Sequence, residues 1–88
     1  MCRNIRPLFN FDPPTTEDEV RKSAIQYVRK VSGFVKPSQA NEAAFNQAIE
    51  ETTATIHRLL DAMVTNQPPK DRGVEAAKAK ERYMARFA

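Results

Sequence analysis

Val28-Arg29-Lys30-Val31-Ser32-Gly33-Phe34-Val35-Lys36-Pro37-Ser38-Gln39-Ala40-Asn41 closes one helical pattern, turns the chain and opens the longest one. Upstream, Val20, Ala24, Tyr27, Val28 and Val31 recur at helical spacing, with Lys22, Gln26, Arg29 and Lys30 on the opposite face. Gly33 is the natural stop, because glycine enters the left-handed conformation at low cost. Downstream, Phe45, Ala48, Ile49, Thr52, Ile56, Leu59, Leu60 and Met63 form one continuous apolar stripe. The turn is short, so the two helices are expected to be antiparallel neighbours. The second stripe is longer, roughly 27 Å against roughly 16 Å at 1.5 Å per residue. Its far end therefore runs past the start of the first helix.

Thr15 or Thr16 caps the first helix, and Thr16-x-x-Glu19 is a capping box. Before it, residues 1–14 carry Pro7, Pro13 and Pro14, which favour extended backbone, together with Ile5, Leu8, Phe9 and Phe11. An arm this apolar is expected to pack on the helices, with Leu8, Phe9 and Phe11 covering the overhang of the second helix. Ser38 or Asn41 caps the second helix, which ends near Thr65. Asp71 opens a third segment of strong helix formers with a thin apolar face of Ala76, Ala77, Tyr83, Met84 and Phe87. The fold expected is all-α, a single small helical domain over 1–88. It comprises an extended arm (1–14), an antiparallel hairpin of helices 16–32 and 38–65, and a third, loosely packed C-terminal helix (71–87).

Chain length and composition narrow the function classes. Eighty-eight residues support one marginal core, which oligomerisation or a partner would help to stabilise. No run of about 18 apolar residues offers a membrane span, and the N-terminus has no signal-peptide apolar region. One cysteine cannot form an internal disulfide and fits a reducing cytoplasm. One Cys and one His fall short of a structural zinc site; no cofactor is implied. Net charge is +3, distributed as +3 over 1–36, −3 over 37–69 and +3 over 70–88. Such a chain can pair with itself, with a neighbouring copy or with an anionic partner.

Two stretches, MCRNIRPLFNFDPP (1–14) and VRKVSGFVKPSQANEAAF (28–45), resemble a family of short, uncharacterised, mostly bacterial proteins classed as a domain of unknown function. The tail PPKDRGVEAAKAKERYMARF (68–87) is similar to that family's tail, although Gly73, Tyr83 and Met84 depart from its charged, alanine-rich pattern. The resemblance implies an all-helical cytoplasmic protein and supplies no activity, cofactor or site residues.

Three chemistries compete with plainer readings. Arg29, Lys30, Lys36, Ser38 and Asn41 could converge beside the start of the second helix as an anion or partner site, since helix N-termini attract anions. The simpler account is a solvated helix end favoured by the dipole, with Phe34 and Val35 as core plugs. Nucleic-acid binding would join Arg3, Arg6 and Lys22 to that turn, but Glu50, Glu51 and Asp61 make the second helix repellent to DNA. Cys2 beside Arg3 and Arg6 is a possible reactive thiol, with His57 as its base. A small inert cysteine and a boundary histidine explain the same residues. Glu50 and Glu51 point about 100° apart and make no carboxylate pair, and there is no Gly-rich phosphate loop. The balance favours a non-enzymatic binding module acting through a protein partner or self-association. Nucleic-acid or phosphate binding at the turn and Cys2 thiol chemistry are the alternatives.

Overall fold

The computed structural model describes residues 3–87. The expected roles of Cys2 and of the Phe87 side chain lie outside the described residues. Three helices dominate: α1 (Glu17–Ser32), α2 (Glu42–Ala62) and α3 (Arg72–Phe87). A 3-10 turn, Gln39–Asn41, leads into α2. The protein is thus a helical hairpin with a third helix attached, as the two stripes and the turn predict.

The ends of α1 follow local chemistry. Thr16 is extended and accepts from Glu19 N through its side chain, while the Glu19 side chain accepts from Thr16 N, completing the capping box. At the other end Gly33 takes φ 80° and its N–H donates to Arg29 O, the left-handed cap that a Cβ would strain. The start of α2 is built differently. Asn41 occupies the cap position, but its side chain makes no capping bond. α2 ends at Ala62, short of the Thr65 boundary read from sequence.

The two helices meet through small groups. Val20, Ala24, Val28 and Ile49 are buried, with Ser23 and Thr53 beside them. Ser23 Oγ donates to Val20 O at 2.6 Å, and Thr53 Oγ1 donates to Ile49 O at 2.7 Å. Each buried hydroxyl is therefore satisfied within its own helix, and the backbones can approach closely.

The arm is packed rather than loose. Leu8 is buried, Asn4 N donates to Gln26 Oε1 at 2.8 Å, and Thr15 Oγ1 donates to Leu8 O. Leu8, Phe9 and Phe11 line a cavity of about 220 Å3 together with Val20, His57 and Leu60, so the arm reaches Leu60 in the overhang of α2, while Leu59 and Met63 stay exposed. Asn10 has φ 62°, which turns the arm before the cis Asp12–Pro13 peptide.

One feature has no signal in the periodicity. Phe11–Asp12 (β1) pairs in parallel with Lys70–Asp71 (β2), Phe11 opposite Lys70 and Asp12 opposite Asp71. Lys70 N donates to Asn10 O at 2.8 Å, and Asn10 Nδ2 reaches Gln67 O and Pro68 O at 3.2 Å each. This short ladder ties the Pro68-Pro69 linker to the arm. α3 starts beside it, with Val74 N donating to Asp71 Oδ1 at 2.9 Å.

α3 does not lie along the hairpin. Its main element contact is with β2. The Cα envelope measures 44 × 37 × 15 Å, with a radius of gyration of 15.7 Å. A compact chain of this length is expected near about 12 Å. The molecule is a slab in which three helices are spread, rather than a three-helix bundle.

Candidate functional site

The closed end of the hairpin carries an apolar groove of about 460 Å3. Tyr27, Val28 and Val31 line it from α1, Phe34 and Pro37 from the turn, and Ala44, Phe45 and Ala48 from α2. Phe45 thus lies by Val31 and Phe34, as the antiparallel hairpin predicts. Apart from Val28, the apolar side chains of α1 and the turn at this end are not plugs in a core, however. Val31 is 70 % exposed, Val35 74 % and Phe34 49 %. Phe34 and Val35 were expected to be buried. They are open because, among the described residues, no element packs over this end: the apolar residues of the arm gather by His57 and Leu60 at the other end of the hairpin, and α3 contacts β2.

Arg29, Lys30 and Lys36 are exposed around this turn. Ser38 and Asn41 are brought together, with Asn41 Nδ2 donating to Ser38 Oγ at 2.9 Å. Their polar groups therefore engage each other rather than the N–H groups of α2. Of the five residues proposed from sequence, Asn41 alone lines the apolar groove.

At the other end of α1, a second centre forms around Glu19. Its Oε2 accepts from Arg6 Nη2 and Arg72 Nη1, each at 3.0 Å. Its Oε1 accepts from Arg72 Nη2 and Thr16 N, each at 3.0 Å. Arg72 Nε also donates to Pro13 O at 2.7 Å. One carboxylate therefore joins the arm, the cap of α1 and the first residue of α3. The Arg72 hydrogen bonds, then the bond from Thr16, hold its pKa down from 4.5 to about 2. The capping-box spacing reveals Glu19 in the sequence. Nothing local pairs it with Arg72, 53 residues away.

His57 lies half-buried on α2 beside the arm, with Nε2 buried and no hydrogen-bond partner among the described residues. The cavity it lines also holds Asp61, one helical turn on. The proposed Cys2–His57 pair falls outside the described residues through Cys2. Among the described residues, no group of three His, Cys, Asp or Glu side chains could hold a metal ion. No helix among them is long and apolar enough to cross a membrane.

The profile of a family described as "Uncharacterized conserved protein (DUF2277)" matches residues 1–78. The chain belongs to this family. The match takes in the arm, the hairpin, the linker and the first part of α3, so the family extends through the Glu19–Arg72 junction as well as the apolar turn. No curated protein and no solved structure matches the chain.

Proposed function

We propose that the protein is a non-enzymatic helical binding module that associates with a second copy of itself through the groove at the closed end of the hairpin. The observation that carries this reading is an excess of surface. A compact monomer of 10.0 kDa should expose about 5,200 Å2 by the usual mass scaling. This chain exposes 7081 Å2. A standard interface removes about 800 Å2 from each partner, so pairing can take up somewhat under half of the excess. The apolar groove with its exposed Tyr27, Val31 and Phe34 is the part of that surface with most to gain from leaving water.

Charge supports a second copy as the occupant. The segment holding the groove's α2 wall carries −3, and the segments on either side of it carry +3 each. Two antiparallel copies can set Arg29, Lys30 and Lys36 of one against Glu51 and Asp61 on the outer face of α2 in the other, whereas Glu50 is already paired with Arg21 of its own chain. Nucleic-acid or phosphate binding at the same turn has less behind it. Ser38 and Asn41 are committed to each other, and Glu50, Glu51 and Asp61 are exposed on α2.

Multi-angle light scattering at tens of micromolar tests the proposal. The expected mass is twice that of the chain. Val31→Glu, which places a charge in the groove, is expected to return the monomer mass with unchanged helicity. A monomeric wild-type chain at that concentration would overturn the reading.

A further inference from the structure

A third cavity, of about 530 Å3, lies between the N-terminal arm and α3 and is separate from the apolar groove. Leu8 and Phe11 wall it on the arm side, and Ala76 and Ala79 on the α3 side. Four cations stand around it, Arg6, Lys70, Arg72 and Arg82, against Glu75. Its size is in the range of small-ligand sites, which run from about 300 to 1,000 Å3.

The cavity follows from the way α3 is attached. Arg72 fixes the start of the helix to Glu19 and to Pro13 O. Positions 72, 76, 79 and 82 then recur on one face of α3, which is the face turned to the arm. Alanine at the two middle positions is too short to fill the space that the Arg72 anchor leaves.

The cations are not equivalent. Arg72 donates from all three of its nitrogens to Pro13 O and the Glu19 carboxylate, and Arg6 donates to Glu19 Oε2 and Arg3 O. These two guanidinium groups are occupied by structure. Lys70 and Arg82 are not. Lys70 Nζ stands 5.2 Å from the centroid of the Phe11 ring, so a cation–π contact keeps the ammonium at the cavity instead of in open solvent. No hydrogen bond or ion pair engages Arg82 among the described residues. The acid Glu75 has Lys78 Nζ at 3.8 Å, which offsets part of its charge. With Glu19 counted, the cavity and its supports carry a net +2.

We propose that this cleft binds a small amphipathic anion, its apolar body against Leu8, Phe11, Ala76 and Ala79 and its anionic head group at Lys70 and Arg82. The apolar walls exclude water from the body of the ligand, and the two uncommitted cations supply charge-assisted hydrogen bonds to the head. Neither half suffices alone: inorganic phosphate would leave the walls unused, and a neutral aromatic would leave Lys70 and Arg82, both exposed, without an anionic partner.

Isothermal titration calorimetry on the full chain tests this with four probes: 1-naphthyl phosphate, 1-naphthoate, 1-naphthol and inorganic phosphate. The two naphthyl anions are expected to bind more tightly than 1-naphthol and inorganic phosphate, and the tighter anion identifies the preferred head group. Lys70→Glu with Arg82→Glu spares the Glu19 anchor and is expected to weaken binding about tenfold or more, with an unchanged circular dichroism spectrum. Should that pair fail to fold, Ala79→Phe fills the cleft without altering its charge and is expected to give the same loss. No saturable binding of either naphthyl anion up to about millimolar concentration would overturn the proposal. Equal affinity in the folded charge-reversed variant, or in Ala79→Phe, would do the same.

Discussion

Glu19 shows how much of a small protein can hang on one carboxylate. It caps the helix that contains it, and two arginines reach it from segments 13 and 53 residues away. Its side chain is 19 % exposed, so these bonds are sheltered from water more than those of an ordinary surface ion pair. Glu19→Gln keeps the shape and removes the charge. It is expected to cost about 1.5–3 kcal/mol, the range for a hydrogen bond to a charged group, measured by urea unfolding near neutral pH. The same residue sets an acid limit. Its carboxyl titrates at about 2 when folded, against 4.5 for an ordinary glutamate. Between those values the unfolded chain binds more protons than the folded one. Glu19 therefore contributes its full stability above about pH 4.5, and this is lost as pH falls towards about 2. Wild-type stability should fall more steeply across that window than Glu19→Gln stability. Parallel curves for the two proteins would mean that the arginines do not hold the carboxylate as described.

Among the elements, those governed by local rules behave differently from the one governed by distant contacts. α1 begins at a Thr-x-x-Glu box and ends at a glycine, and both signals lie within a few residues of the structure they specify. Gly33 can be tested by itself. A Cβ there would meet no atom within 4 Å, while φ is +80°. Gly33→Ala should therefore destabilise through backbone strain alone, by about 1–2 kcal/mol, read as a lower thermal midpoint with the same folded spectrum. The hairpin was legible for the same local reason: two stripes and a short turn leave few arrangements. The packing of the arm was legible because Leu8, Phe9 and Phe11 have no other reason to be apolar. α3 was legible as a helix but not in its placement. That depends on Phe11 meeting Lys70 across a two-residue ladder and on Arg72 finding Glu19. Neither pairing has a period, a spacing or a composition that marks it. The exposure of Phe34 and Val35 was missed for a related reason. An apolar residue beside a helix stop reads as core, and only the tertiary placement of the arm and of α3 leaves it uncovered among the described residues.

At the scale of the whole molecule, the slab raises the question of what drives association, apolar area or opposite charge. The two differ in their response to salt. The Debye length falls from about 10 Å at 0.1 M to about 3 Å at 1 M, which removes most attraction between exposed charges. Burial of apolar surface is not screened in this way. Tyr27, Val31 and Phe34 lie at the groove itself, whereas Arg29, Lys30 and Lys36 are exposed around the turn beside it. Rim charges act mainly on the association rate and on orientation. Raising sodium chloride from about 0.1 to about 1 M should therefore weaken the dimer severalfold and leave it detectable by sedimentation equilibrium. Val31→Glu should abolish it at either salt concentration. Complete dissociation by salt alone would assign the interface to the alternating charge of the chain instead. The groove would then be a bystander, and its exposed Val31 and Phe34 would need another partner.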